Sequence, residues 1–123
     1  MNFRRKRWQR GEPVPTGSDG AAPHTDYRDE EAGVLTLRWA LPARSRMLYD
    51  RIRAATSSDD LRDRGAEFLF RRLAVRWEIA GAPLDGQQQL LTRFRAASPD
   101  ERAWIRDVLR EHLAEWFPDV AAP

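Results

Sequence analysis

Cysteine is absent from the 123 residues, and lysine occurs once, at Lys6. The first absence excludes disulfides, thiolate zinc sites and cysteine nucleophiles, and with them any sign of an oxidising compartment. No apolar run approaches the roughly 18–20 residues that a membrane span needs. The charged opening, Met1 to Arg10, is not followed by an apolar stretch, so it does not read as a secretory signal. Histidine is almost missing as well, with only His24 and His112 in the chain. Neither stands in an HExxH pattern, and no Gly-rich phosphate loop or GxSxG elbow occurs. Glu111, His112 and Glu115 are close in sequence, but one histidine with carboxylates is a poor metal site. These gaps lead to the expectation of no catalytic residues, no metal and no cofactor. The expected location is cytoplasmic or within an assembled particle, without a membrane.

What is present begins with size and aromatics. A chain of this length is one domain and buries roughly two-thirds of the surface its unfolded form exposes. Five Trp, five Phe and two Tyr supply ample apolar area for a core. The 21 basic residues are all arginine apart from Lys6, which together with abundant Ala, Asp and Pro resembles the coding bias of a GC-rich genome. Net charge is only +2. Arginine still carries a planar fork that meets carboxylates and phosphates at two points.

Residues 1–33 differ in kind from the rest. Pro13, Pro15, Pro23, Gly11, Gly17, Gly20 and Gly33 fall here, apolar periodicity is missing, and Gly11 to Thr25 reads as a flexible or extended linker. A basic head of Arg4, Arg5, Lys6, Arg7 and Arg10 surrounds Phe3 and Trp8. An acidic cluster of Asp26, Asp29, Glu30 and Glu31 encloses Arg28. Residues 34–41 then alternate, with Leu35, Leu37, Trp39 and Leu41 on one face and Val34, Thr36, Arg38 and Ala40 on the other, a half-buried strand pattern. A lone strand cannot satisfy its backbone, so it must pair with part of the arm, with another copy or with a partner protein.

The remainder reads as helical. Pro42 opens a first helix over about 42–55, with Leu48, Tyr49, Ile52 and Ala55 on one stripe. Ser58 is placed to cap a second helix that begins at Asp59–Asp60 and runs to about Ala80. Leu61, Gly65, Phe68, Leu69, Leu73, Trp77 and Ala80 recur at helical spacing along it, and Phe70, Val75 and Ile79 widen the stripe. Gly81 to Gly86 is a turn by composition, and a short third helix over about 87–96 carries Leu90, Leu91 and Phe94. Ser98-Pro99-Asp100-Glu101 is a capping box with proline at the first helical position. Trp104, Ile105, Val108, Leu109, His112, Leu113, Trp116 and Phe117 form the apolar face of the last helix. Along that helix Arg102, Arg106 and Arg110 make one charged column and Asp107, Glu111 and Glu115 another. Neighbouring columns read as surface ion pairs or as a strip facing a partner. The expected fold is mainly α: a compact four-helix domain over 34–120, one N-terminal β-strand, and an extended N-terminal arm over 1–33.

Two resemblances bear on function. Arg106 to His112 resembles the arginine-to-histidine signature of HEPN-type ribonucleases, which are small, all-helical and usually dimeric. That resemblance implies metal-independent RNA cleavage, with His112 moving the 2′-hydroxyl proton and Arg106 holding the phosphate. Residues 34–119 resemble, in layout, tail assembly chaperones and related tail or injection-particle subunits of phages. The likeness rests on a strand like Val34 to Trp39, a segment like Val75 to Leu84 and a helix start like Ser98 to Glu101. It implies binding without chemistry.

The leading expectation is a non-enzymatic assembly component that contacts other protein subunits, its own copies included. The residues expected to bind partners are Phe3, Arg4, Arg5, Lys6, Arg7, Trp8 and Arg10 in the arm, and Leu35, Leu37 and Trp39 on the strand. Nucleic-acid contact through residues 1–10 is the further alternative, since five cations with an interleaved Trp8 suit phosphates and a stacked base.

Overall fold

A computed structural model of the chain describes residues 8–15 and 22–123. Among these residues the elements are β1 (Trp8–Arg10), β2 (His24–Asp29), β3 (Gly33–Arg38), α1 (Ala43–Ala55), α2 (Ser58–Leu73), β4 (Ala74–Ile79), β5 (Ala82–Leu84), α3 (Gln87–Arg95) and α4 (Pro99–Trp116). The strands form one antiparallel sheet in the order β1-β2-β3-β4-β5, a meander interrupted by the α1–α2 pair between β3 and β4. The mainly α, four-helix expectation with a single N-terminal strand is therefore wrong: the fold is a mixed α/β one, with four helices and a five-stranded sheet among the described residues.

The expected strand at 34–41 is the centre of that sheet. It finds one partner in the stretch read as an arm, where Tyr27 opposes Leu35 and Thr25 opposes Leu37. It finds the other in residues assigned by periodicity to a long helix, where Leu35 opposes Trp77. The second helix thus stops at Leu73 rather than Ala80, and the Ala74 N–H still bonds the Phe70 carbonyl as the chain turns directly into β4. Ser57, not Ser58, is its N-cap. The described parts of residues 1–33 likewise do not stand apart from the domain, because β1, β2 and the Val14–His24 bridge all belong to or extend the sheet. Residues 1–7 and 16–21 of that stretch lie outside the described residues.

The alternation of β3 holds as read. Leu35 and Leu37 face inward and are fully buried with Tyr27, Thr25 and Trp77. The outward face carries Asp26, Arg28, Val34, Thr36, Arg76 and Glu78 by register, and the Thr36 hydroxyl donates to Asp26 across the strands at 2.6 Å. One polar face and one apolar face is the usual arrangement for an antiparallel sheet. The inward face is covered by helices: Trp104 of α4 meets Trp77, and Phe94 of α3 and Phe70 of α2 close the same cluster. The α4 start matches the expected capping box, with Ser98 Oγ accepting from Glu101 N–H at 3.1 Å and Glu101 accepting from Ser98 N–H at 2.9 Å. α1 packs on α2, and the C-terminal tail pins it through the Tyr49 hydroxyl, which donates to Ala121 O, and through an Arg46–Asp119 ion pair at 2.9 Å.

Two turns carry opposite strains. Gly33 begins β3 at φ +99°, where a Cβ would lie 2.0 Å from the Glu78 carbonyl oxygen. Ala80 and Gly81 join β4 to β5 with φ 51° and 79°, the signs of a two-residue primed hairpin turn, yet the first position is alanine. We expect Gly33→Ala to destabilise the protein by at least about 2 kcal/mol, through the clash and the backbone conformation together. Ala80→Asn should stabilise it by up to about 1 kcal/mol, because asparagine tolerates the left-handed region. Urea unfolding of the two variants checks both signs.

Candidate binding site

His112 is the chain's one buried histidine among the described residues, and its surroundings decide what it can do. The ring is fully buried on the sheet-facing side of α4. Its Nε2 lies 2.8 Å from the Arg38 carbonyl oxygen, which can only accept, so Nε2 carries the proton. Nδ1 then accepts from the Tyr27 hydroxyl at 2.7 Å. Burial pushes the imidazole pKa down to about 4, outweighing the Arg38 carbonyl bond that favours the charged form. Burial also raises the Tyr27 phenol, with the Glu115 and Glu111 charges adding to it.

A neutral ring with both nitrogens occupied has no free position for proton transfer. The five-stranded sheet departs from the all-helical fold that the HEPN resemblance implies. Among the described residues no group of three His, Asp or Glu could hold a metal ion, and no helix is long and apolar enough to cross a membrane.

The residues expected to bind partners fare as follows. Leu35 and Leu37 are core side chains of a central strand, paired on both edges, so the unpaired-strand reading is corrected. Trp39 is half-buried, stacked on Trp116 at 3.9 Å with 17° between the rings, and its Nε1 donates to Thr25 at 2.8 Å. Trp8 is buried against Tyr27, and Arg10 forms an ion pair with Glu115 of α4. Phe3, Arg4, Arg5, Lys6 and Arg7 lie outside the described residues. Between the charged columns of α4, Arg110 pairs with Asp107 at 3.8 Å, while Arg102 donates to the Arg95 carbonyl.

Two depressions, both missed from sequence, lie where α1 and α2 meet solvent. The larger, about 540 Å³, runs between the two helices, with Leu48, Ile52, Ala55 and Phe68 as its floor and Arg51, Arg64 and Arg71 along its rim. Its one carboxylate, Glu67, is already bonded to Arg95 at 2.9 Å. Met47, 59 % exposed, adds apolar surface on α1. The smaller, about 360 Å³, opens where β3, α1, α2, β4 and the start of α3 converge, and it gathers Arg38, Arg71 and Arg72 around the buried Ser45. Arg71 borders both. Neither was legible as a motif, because the arginines come from separated parts of the chain.

Comparison with known protein families, with curated proteins and with solved structures returns no match to this chain.

The buried imidazole has a consequence for acid stability. The unfolded chain takes up the proton near the ordinary value of 6.5 and the folded chain only near about 4. Between those values the unfolded state binds more protons, so His112 makes stability fall as pH drops from about 6.5 to about 4, by roughly 3 kcal/mol in all. His112→Leu should remove that component while costing about 2 kcal/mol at pH 7, since Tyr27 and the Arg38 carbonyl lose their partner. Urea titrations of both proteins between pH 7 and pH 5 test this; parallel slopes would refute it.

Proposed function

We propose that the protein is a non-enzymatic assembly or adaptor component that docks an acidic amphipathic helix of another subunit in the groove between α1 and α2. The observation that carries the reading is the groove itself: an apolar floor between two helices, rimmed by Arg51, Arg64 and Arg71. None of the three meets a carboxylate among the described residues. A third helix laid along such a seam buries its apolar stripe on Leu48 and Ile52 and offers its acidic flanks to the rim. Single-stranded nucleic acid is less well served, because Phe68 is already covered by Tyr49 and Arg72 and gives no free stacking platform. A place in a phage tail-like particle is the finer form of the same proposal and rests on the likeness in layout alone.

A photo-crosslinking residue at position 52, introduced in the producing cell, should trap one stoichiometric protein with an acidic helical segment. The double variant Arg51→Glu/Arg64→Glu should weaken that complex at least tenfold in a purified binding assay, about 1.4 kcal/mol, without lowering the unfolding midpoint. Crosslinks only to a second copy of this chain, or a partner bound equally well by the double variant, would overturn the reading.

A further inference from the structure

The smaller recess differs from the groove in chemistry, and it carries an inference of its own. Arg38, Arg71, Arg72 and one carboxylate, Asp85, line it; none of the three arginines forms an ion pair among the described residues, and the Arg72 guanidinium lies over the Phe68 ring at the edge of the neighbouring groove. Elsewhere arginines on this fold do find carboxylates, as Arg46 does at Asp119 and Arg95 at Glu67. Like charges gathered in a concavity repel one another and focus a positive potential into it. The fold holds them there by fixed backbone. Arg38 is anchored through its own carbonyl to His112, and the irregularity in β4 pairing between Thr36 and Leu37 leaves Val75 at the recess wall. Gln87, the first residue of α3, also lines the recess, and that helix has neither a side-chain cap nor an acidic residue in its first turn. Its free N–H groups add to the positive end of the cavity.

We propose that this recess binds the phosphate of a small, non-aromatic phosphomonoester. Guanidinium forks match phosphate oxygens at two points each, and a dianion answers Arg38 and Arg71, with the Arg72 charge close by, better than one carboxylate would. The volume of about 360 Å³ falls in the range of small-molecule pockets, which leaves room for an organic body beyond the phosphate. Ala40, Pro42 and Leu90 supply the apolar wall for that body, while Asp85 and Gln87 can meet hydroxyl groups on it. No aromatic ring lines the recess, which disfavours a nucleobase.

Thermal unfolding and ³¹P NMR titrations with inorganic phosphate, glycerol 3-phosphate and a short single-stranded oligonucleotide test the proposal, against sodium chloride at matched ionic strength. Saturable stabilisation by glycerol 3-phosphate, tighter than by inorganic phosphate, is expected. Arg38→Gln and Arg71→Gln should each weaken it at least tenfold, and Arg38→Gln should leave partner docking in the α1–α2 groove intact. Ile52→Asp should do the reverse, so the two sites fail independently. Equal shifts with chloride, equal affinity in Arg38→Gln, or tighter binding of the oligonucleotide that displaces the phosphomonoester would each overturn it.

Discussion

One imidazole ring ties the two layers of this protein together. His112 projects from α4 into the sheet, accepts from Tyr27 on β2 and donates to the carbonyl of Arg38 at the end of β3. A polar ring in that position is tolerable only because both nitrogens are satisfied, since a buried unpaired nitrogen costs about 1–3 kcal/mol. Around it the apolar contacts fall into place: Trp8 edges onto Tyr27, Phe117 lies beside the imidazole, and Trp116 stacks on Trp39 at the strand end. The geometric demand of two hydrogen bonds specifies the rotation of α4 over the sheet more sharply than apolar burial does, because hydrophobic contact has no direction. Burial disfavours the charged ring, so the imidazole holds this position in its neutral form.

That clamp leaves α1 and α2 with a different task. They are inserted between β3 and β4, two neighbouring strands that could not otherwise be so far apart in sequence. α2 still contributes Leu69, Phe70 and Leu73 to the core, whereas α1 packs on α2 and is tied to the C-terminal tail through Tyr49. The solvent side of the α1–α2 pair is free of the packing demands that govern the sheet. Its outward side chains answer to whatever meets them.

How far the sequence revealed this varies element by element. The Ser98–Glu101 box, α3, the face of β3 and the first helix were all legible, because each rests on local chemistry. β2 was not: in His24-Thr25-Asp26-Tyr27-Arg28-Asp29 only Thr25 and Tyr27 face inward, too few apolar positions to register as alternation. β4 was hidden by coincidence, since Trp77 follows Leu73 by four residues and so continues the helical stripe into a strand of the same polarity. The backbone argument was the better guide. A strand at 34–41 needed partners, and pairing with part of the presumed arm is one of the routes that argument allowed. The candidate sites were illegible for a further reason. Arg38, Arg51, Arg64, Arg71 and Arg72 are unremarkable in a chain whose bases are nearly all arginine, and only the fold shows which of them converge.

Composition explains why arginine is common here, but it does not explain where the carboxylates are missing. Arg10, Arg46, Arg93 and Arg95 each reach an acidic partner on a different element, so the fold is able to neutralise its cations between elements. At the α1–α2 seam and the adjoining recess it does not, although Asp50, Asp59, Asp60 and Asp63 lie on the same helices. Mutual repulsion among those guanidiniums works against the compact state, and any anion bound there would relieve it. Occupancy and stability are then linked: whatever neutralises the surface also stabilises the fold, by an amount set by its concentration relative to its dissociation constant. The His112 clamp makes that linkage direct at one point, because the residue it holds in place by its carbonyl, Arg38, is also one of the cations of the recess.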